Sequence, residues 1–123
     1  MSKTLISLLT SLLLAVCFAA APTFAEEDET PKYSTKDVMK KAMKGPLLKK
    51  VASGKASDEE KKTLHDMLVA MSKNEPKKGD AESWKKLTGM LVDAAKGVID
   101  GDDKAAAKLK KSANCKACHK VHR

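Results

Sequence analysis

Aromatic residues and cysteines are scarce in this chain. Its 123 residues include two phenylalanines, one tyrosine, one tryptophan and three cysteines. Three cysteines, one of them near the N-terminus, cannot form the several bridges of a disulfide-stapled domain. With so few aromatic rings, the chain also has little bulky material for an apolar core of its own.

Several functional motifs are missing as well. The sequence contains no nucleophile–base pair, no phosphate-binding loop and no carboxylate dyad, so we expect a protein that is not an enzyme. No segment has the strict alternation or the β-branched enrichment that is typical of strands, and no repeat of solenoid period occurs. These absences favour a small all-α domain.

The longest apolar run occupies residues 5–18, behind Lys3, and is too short for a comfortable membrane span. Residues 23–25 provide a small-residue cleavage site before an acidic stretch. Residues 1–25 are therefore predicted to be a secretory signal peptide. An uncleaved anchor and lipoprotein processing at Cys17 are the alternatives. No later run approaches spanning length, so we expect a periplasmic protein without a membrane span after processing.

Cys115, Cys118 and His119 form a CxxCH motif close to the C-terminus. This spacing is typical of covalent c-type haem attachment. Residues three and four apart share one face of a helix, so two thiols can bond to the two vinyl groups of one porphyrin while the imidazole reaches the iron. The motif predicts one covalent haem c, which would also supply apolar area that the chain lacks.

Two other interpretations of the motif stay open. A thioredoxin-like dithiol normally has its first cysteine at a helix N-terminus near a βαβ unit, whereas we expect this pair at the C-terminus of a helix. A zinc site would add His122, but a single helical turn cannot easily wrap four tetrahedral ligands around one ion. Haem attachment is the preferred interpretation.

Four helical segments are predicted after residues 26–33, which form a charged lead-in expected to be flexible. The first covers residues 34–52 and should kink at Gly45-Pro46, because proline removes a helical hydrogen bond. A capping box at Ser57 opens the second segment, whose apolar stripe includes Met71.

Asp80 is predicted to cap the third helix and Gly101 to end it. Asp102 or Asp103 should start the last helix, which the haem motif ends. Four helices joined by short turns predict an antiparallel up-down-up-down four-helix bundle over residues 34–123.

A CxxCH motif that ends the fourth helix, followed by Arg123, resembles the class II c-type cytochromes, which comprise cytochrome c′ and its six-coordinate relatives. The resemblance implies that His119 is the proximal iron ligand and that Arg123 lies close to the haem. It also implies that the first helix forms the distal side, with Met43 opposite the iron. Met39 is an alternative distal ligand. A further alternative is a distal site that no side chain of the chain occupies. Many members have an arginine near the haem propionates at the register of Met39. Here lysines lie beside that position, at 40 and 41, so the resemblance does not assign a partner to the propionates.

The leading functional prediction is a periplasmic electron carrier, and the alternative is a five-coordinate haem protein that binds nitric oxide or carbon monoxide. A peroxidase is a weaker third hypothesis. Lys108 and Lys111 are candidates for contacts with the haem edge or propionates, although a solvated lysine face is the preferred explanation for them. The net charge of +8 fits an acidic redox partner better than nucleic acid, because the lysines are scattered. The resemblance also allows a homodimer.

Overall fold

The structure is a computed structural model, and it describes residues 31–123. The predicted signal peptide, residues 1–25, and most of the predicted lead-in, residues 26–33, lie outside the described residues. Within the described range the regular structure is entirely helical, which confirms the all-α prediction. No helix in this range combines the length and apolar character needed to cross a membrane.

Six α-helices and one π-helical segment make up the described chain. They are α1 (Thr35–Val38), which continues as the π segment (Met39–Met43), then α2 (Pro46–Ala52), α3 (Asp58–Lys73), α4 (Ala81–Ile99), α5 (Ala105–Ser112) and α6 (Cys115–His122). Tyr33 packs against the core, and its carbonyl oxygen accepts a hydrogen bond from the Asn74 side chain at 3.0 Å.

Side-chain caps define the starts of the main helices. The Ser57 hydroxyl accepts from the Glu60 N–H at 3.2 Å, and the Glu60 carboxylate accepts from the Ser57 N–H at 3.0 Å. The Asp80 carboxylate accepts from the Ser83 N–H at 2.7 Å. These bonds satisfy N–H groups that the first turn leaves unpaired, and they confirm the predicted starts of α3 and α4. Gly101 follows α4 with a φ of 82°.

The first predicted helix divides at Gly45-Pro46, as expected. Pro46 cannot donate a hydrogen bond, and it serves instead as the first residue of α2. Before it the helix widens, and the Lys44 N–H donates to the Met39 carbonyl at 2.9 Å, five residues back. A Cβ at Gly45 would collide with the Lys41 carbonyl oxygen, so this break requires a glycine.

The prediction of one continuous last helix is wrong. Helix α5 ends at Ser112, and Ala113 leaves helical geometry with φ −75° and ψ 46°. Asn114 then caps a separate helix α6, since its side-chain oxygen accepts from the Ala117 N–H at 3.1 Å. The CxxCH motif therefore begins α6 and does not end α5. At the other end of α5, the Asp102 carboxylate accepts from the Lys104 N–H at 2.9 Å, but Lys104 is the N-cap and the helix begins at Ala105. The predicted start at Asp102 or Asp103 therefore lies before the observed one.

The core lies between α3, α4 and α5, with α1 and α2 packed on α3 and α2 also touching α5. Its fully buried side chains include Leu64, Leu68 and Met71 from α3, Thr88 from α4 and Leu109 from α5. Complete burial of one such aliphatic side chain contributes about 1.5–3 kcal/mol. This core holds α4 in place and so fixes one wall of the site described next.

Candidate functional site

A cleft of about 890 Å³ opens between the first helix and α6. Met39 and Met43 line it from the π segment, Met71 from α3, and Trp84, Leu87 and Leu91 from α4. Residues of α6 complete the lining, which is mainly apolar. This volume lies within the range of about 300–1,000 Å³ that is usual for small-molecule and cofactor sites. A smaller depression of about 180 Å³ between Pro31 and α3 is lined by Lys32, Asp66 and Lys73 beside apolar residues.

The three residues of the CxxCH motif all line the cleft. Cys115 is exposed at the first position of α6, whereas Cys118 and His119 are half-buried. Cys118 also packs against the core. Because residues three and four apart share one face of a helix, this spacing directs the two thiols and the imidazole toward the same space.

Burial raises the pKa of the Cys118 thiol, and the neighbouring Cys115 raises it further. A raised pKa keeps this thiol protonated near neutral pH, which opposes the thiolate that disulfide exchange requires. The prediction that the cysteine pair lies at the C-terminus of a helix is wrong, because Cys115 is the first residue of α6. This position alone would suit a dithiol centre. What still disfavours that centre is the raised pKa of Cys118 and the lack of any strand among residues 31–123 to build a βαβ unit.

Met39 and Met43 are both half-buried on the cleft wall. They are the first and last residues of the π segment. A π-helix closes its hydrogen bonds over five residues, and such segments recur at functional sites. The structure thus brings two thioethers to the cleft. Met71 adds a third thioether from α3, where its spacing predicts only a place in the apolar stripe.

The charged residues around the cleft differ partly from those predicted. Arg123 lines it, whereas its predicted closeness to a haem stays a prediction. Lys108 instead hydrogen-bonds the Asp102 carboxylate at 3.4 Å, and neither Lys108 nor Lys111 belongs to the cleft lining within the described chain. The lysines that do line it, Lys36, Lys44 and Lys77, had no distinguishing signal in a sequence so rich in lysine.

His122 lines the cleft and is only 7% exposed. Its Nδ1 lies 2.9 Å from the Lys78 carbonyl oxygen and its Nε2 lies 3.1 Å from the Ser83 hydroxyl. Both ring nitrogens are therefore engaged, which leaves none for a zinc ion. No three His, Cys, Asp or Glu residues in the described range are grouped closely enough to hold a metal. The zinc interpretation has no geometric support here.

Trp84 carries a buried polar atom without a partner. Its indole Nε1 finds no hydrogen-bond acceptor among residues 31–123, although the ring is only 4% exposed and lines the cleft. Buried donors are normally satisfied, so this one is consistent with an occupant that brings its own acceptors. A porphyrin has two carboxylates, and the cleft also offers the thiols, an imidazole, thioethers and cations. The residues present fit a covalent haem.

Neither a protein-family model, nor a curated protein, nor a solved structure matches this chain. Its function has to be inferred from the residues of the cleft and from their chemistry.

Proposed function

We propose that this chain is an exported c-type cytochrome of the class II kind, which holds one covalent haem in the cleft and carries electrons. The observation that supports this most directly is the meeting of two sets of residues. The CxxCH residues of α6 and the two methionines of the π segment line the same cleft. Covalent anchors and candidate ligands of the iron thus come together from opposite ends of the described chain.

Cys115 and Cys118 would form the covalent links. Each sulfur would bond to one carbon of a vinyl group while its hydrogen passes to the other carbon, so nothing leaves and no oxidant is consumed. The raised pKa of Cys118 is compatible with this addition, because the thiol supplies the hydrogen as well as the sulfur. The exposed position of Cys115 would leave one edge of the cofactor accessible to a partner.

His119 would be the proximal ligand of the iron and Met43 the distal one. The haem supplies a one-electron couple between ferric and ferrous iron, and methionine–histidine ligation raises its potential. The chain would hold both ligands on helices, and apolar side chains of the cleft, including Leu87 and Leu91, would limit the access of water to the iron.

The antiparallel four-helix bundle belongs to this proposal. The first helix of this bundle would consist of α1, the π segment and α2, and the fourth would consist of α5 and α6. Helices α3 and α4 would be the second and third. The packing of α3 on α4 and of α4 on α5, each pair joined by a short connection, supports this arrangement.

Export to the periplasm and an acidic redox partner complete the proposal. Lys36, Lys44, Lys77 and Arg123 line the mouth of the cleft and would attract carboxylates on such a partner. Attraction between exposed charges falls with ionic strength, so electron exchange should slow as salt is added.

Expression in a host that matures c-type cytochromes tests the central claim. The purified protein should keep its iron porphyrin after denaturation, with a mass that exceeds that of the processed polypeptide by one haem. Cys115→Ser and Cys118→Ser should each leave one link, and the double variant should release all haem on denaturation. A mass equal to that of the bare polypeptide contradicts the proposal.

The second candidate is a gas-binding protein, and the breadth and apolar lining of the cleft favour it. Carbon monoxide distinguishes the two functions. If Met43 binds the iron, the ferrous spectrum should change little on exposure to the gas, whereas Met43→Leu should respond sharply. Met39→Leu is the matched control, and its spectrum should resemble that of the unaltered protein. A sharp response of the unaltered protein itself favours gas binding.

A further inference from the structure

Helix α6 is held to the rest of the protein by few contacts. The main helix pairs in the described chain are formed by the preceding helices, and α6 takes part in none of them. His122 is the one buried residue of α6, while Cys118 is half-buried against the core. The helix that carries the CxxCH motif therefore depends on its last residue for attachment.

The hydrogen bonds of His122 indicate its tautomer and its role. The Lys78 carbonyl can only accept, so Nδ1 must carry a hydrogen. In the neutral ring Nε2 is then an acceptor, and the Ser83 hydroxyl donates to it. The ring also meets Trp84 edge-on, with centroids 5.3 Å apart and planes at 75°. The α3–α4 connection and α4 thus both contact the imidazole of this α6 residue.

Gly79 shows how closely the loop approaches the ring. Its φ is 82°, and a Cβ at this position would lie 2.6 Å from Nδ1 and 2.8 Å from Cε1 of His122. Atoms other than hydrogen do not approach so closely without a bond, so a side chain here would displace the imidazole. Glycine is required both by the backbone conformation and by the contact.

We infer that His122 is a positioning residue that fastens the end of α6 to the α3–α4 connection and so fixes the direction of His119. The two histidines are one helical turn apart, and movement of the first carries the second with it. This inference rests on the proposed function, because its purpose is to hold an iron ligand. Both ring nitrogens of His122 are already used, so His122 is not itself that ligand.

A pair of glycine variants tests the inference. Gly79→Ala and Gly101→Ala both place alanine at a φ of 82°, but only the first brings a Cβ against His122, since Gly101 has nothing within 4 Å. The backbone cost is therefore matched. In the haem-loaded protein, Gly79→Ala should speed hydrogen exchange of the α6 amides by about tenfold relative to Gly101→Ala and should alter the ferric absorption spectrum. Equal exchange and equal spectra in the two variants would overturn the inference.

Ser83→Ala provides a milder second test. It removes the hydroxyl partner of Nε2 but keeps the backbone N–H that Asp80 caps, so α4 should still form. We expect faster α6 exchange and the same direction of spectral change as in Gly79→Ala. If Ser83→Ala leaves both readouts at the level of the unaltered protein, the bond does not position α6.

The tautomer of His122 can be read by nitrogen NMR with or without haem. In the neutral ring, a protonated Nδ1 and an unprotonated Nε2 are expected, and the opposite tautomer excludes the bond to the Lys78 carbonyl. The two proposals can thus fail separately. Absence of covalent haem contradicts the cytochrome function, whereas a wrong tautomer contradicts the role of His122.

Discussion

The α3–α4–α5 core and the α6 side of the cleft are stabilised in different ways. In the core, Leu64, Leu68 and Leu109 are completely buried. Around the cleft, Met43, Cys118 and His119 are only half-buried, and α6 is secured by the hydrogen bonds of His122. A buried leucine truncated to alanine typically costs about 2–5 kcal/mol, whereas one hydrogen bond contributes about 0.5–1.5 kcal/mol.

This contrast indicates that the core provides stability and that the cleft side provides the reactive groups. Leu64, Leu68 and Leu109 belong to the core and do not line the cleft, so their burial does not depend on an occupant there. The cleft side presents reactive side chains on helices that few contacts restrain. Under the proposed function, the porphyrin would supply the missing contacts and would tie α6 to the first helix. The variants below test whether the two regions respond as differently as this picture requires.

The largest effect is expected in the core. Leu68→Ala removes a fully buried side chain and should lower the free energy of unfolding by about 2–5 kcal/mol, measured by urea denaturation. Met90→Ala is the control, because Met90 is 46% exposed and should change stability by about 0.5 kcal/mol or less. If the two variants lose similar stability, the core is not the main source of stability.

Two glycine variants should have effects of opposite sign. Gly45→Ala forces a Cβ against the Lys41 carbonyl and should destabilise the protein by about 1–3 kcal/mol. Gly89 lies within α4 and has nothing within 4 Å of an added Cβ, so Gly89→Ala should stabilise by about 0.5–1 kcal/mol. Thermal unfolding measures both. A stabilising Gly45→Ala would show that the π segment does not need a glycine after it.

Loss of a helix cap should affect global stability in one region and local hydrogen exchange in the other. Asn114→Ala and Ser57→Ala each remove a side-chain cap, which usually contributes about 0.5–2 kcal/mol. In α3 the loss should lower global stability. In α6 it should mainly accelerate hydrogen exchange of that helix and leave the amides of α3 and α4 protected. Uniformly faster exchange in Asn114→Ala would argue against a separately held α6.

The smallest effect concerns acid stability. The hydrogen bond from Lys50, and then that from the Ser57 N–H, lower the pKa of Glu60 below its ordinary value, while burial opposes them. A carboxylate with a lowered folded pKa contributes stability above its unfolded pKa, and this contribution disappears as pH falls through the folded value. Glu60→Gln should therefore flatten the decline of melting temperature below about pH 4.5. Lys50→Met should flatten it partly, and an unchanged decline in both variants would contradict the assignment.

Local features of the sequence determined much of this architecture. The caps at Ser57 and Asp80 and the break at Gly45-Pro46 follow from interactions within a few residues, so they were predicted correctly. Asn114 was also a readable capping signal, but the apolar stripe that continues through Leu109 and Ala113 made the last helix look unbroken. The CxxCH spacing predicted for the same local reason that both thiols and the imidazole face one space, and all three line the cleft. Haem attachment at these residues stays a prediction.

Only the tertiary structure decided which distant residues share the cleft. Met71 looked like any core methionine, and nothing near His122 in the sequence pointed to Lys78, Gly79 and Ser83, which lie about 40 positions away. Such contacts depend on how helices pack and on the path of a loop, and these are set by the burial of the whole core. Short-range patterns therefore named the reactive groups, while long-range packing decided which residues hold them in place.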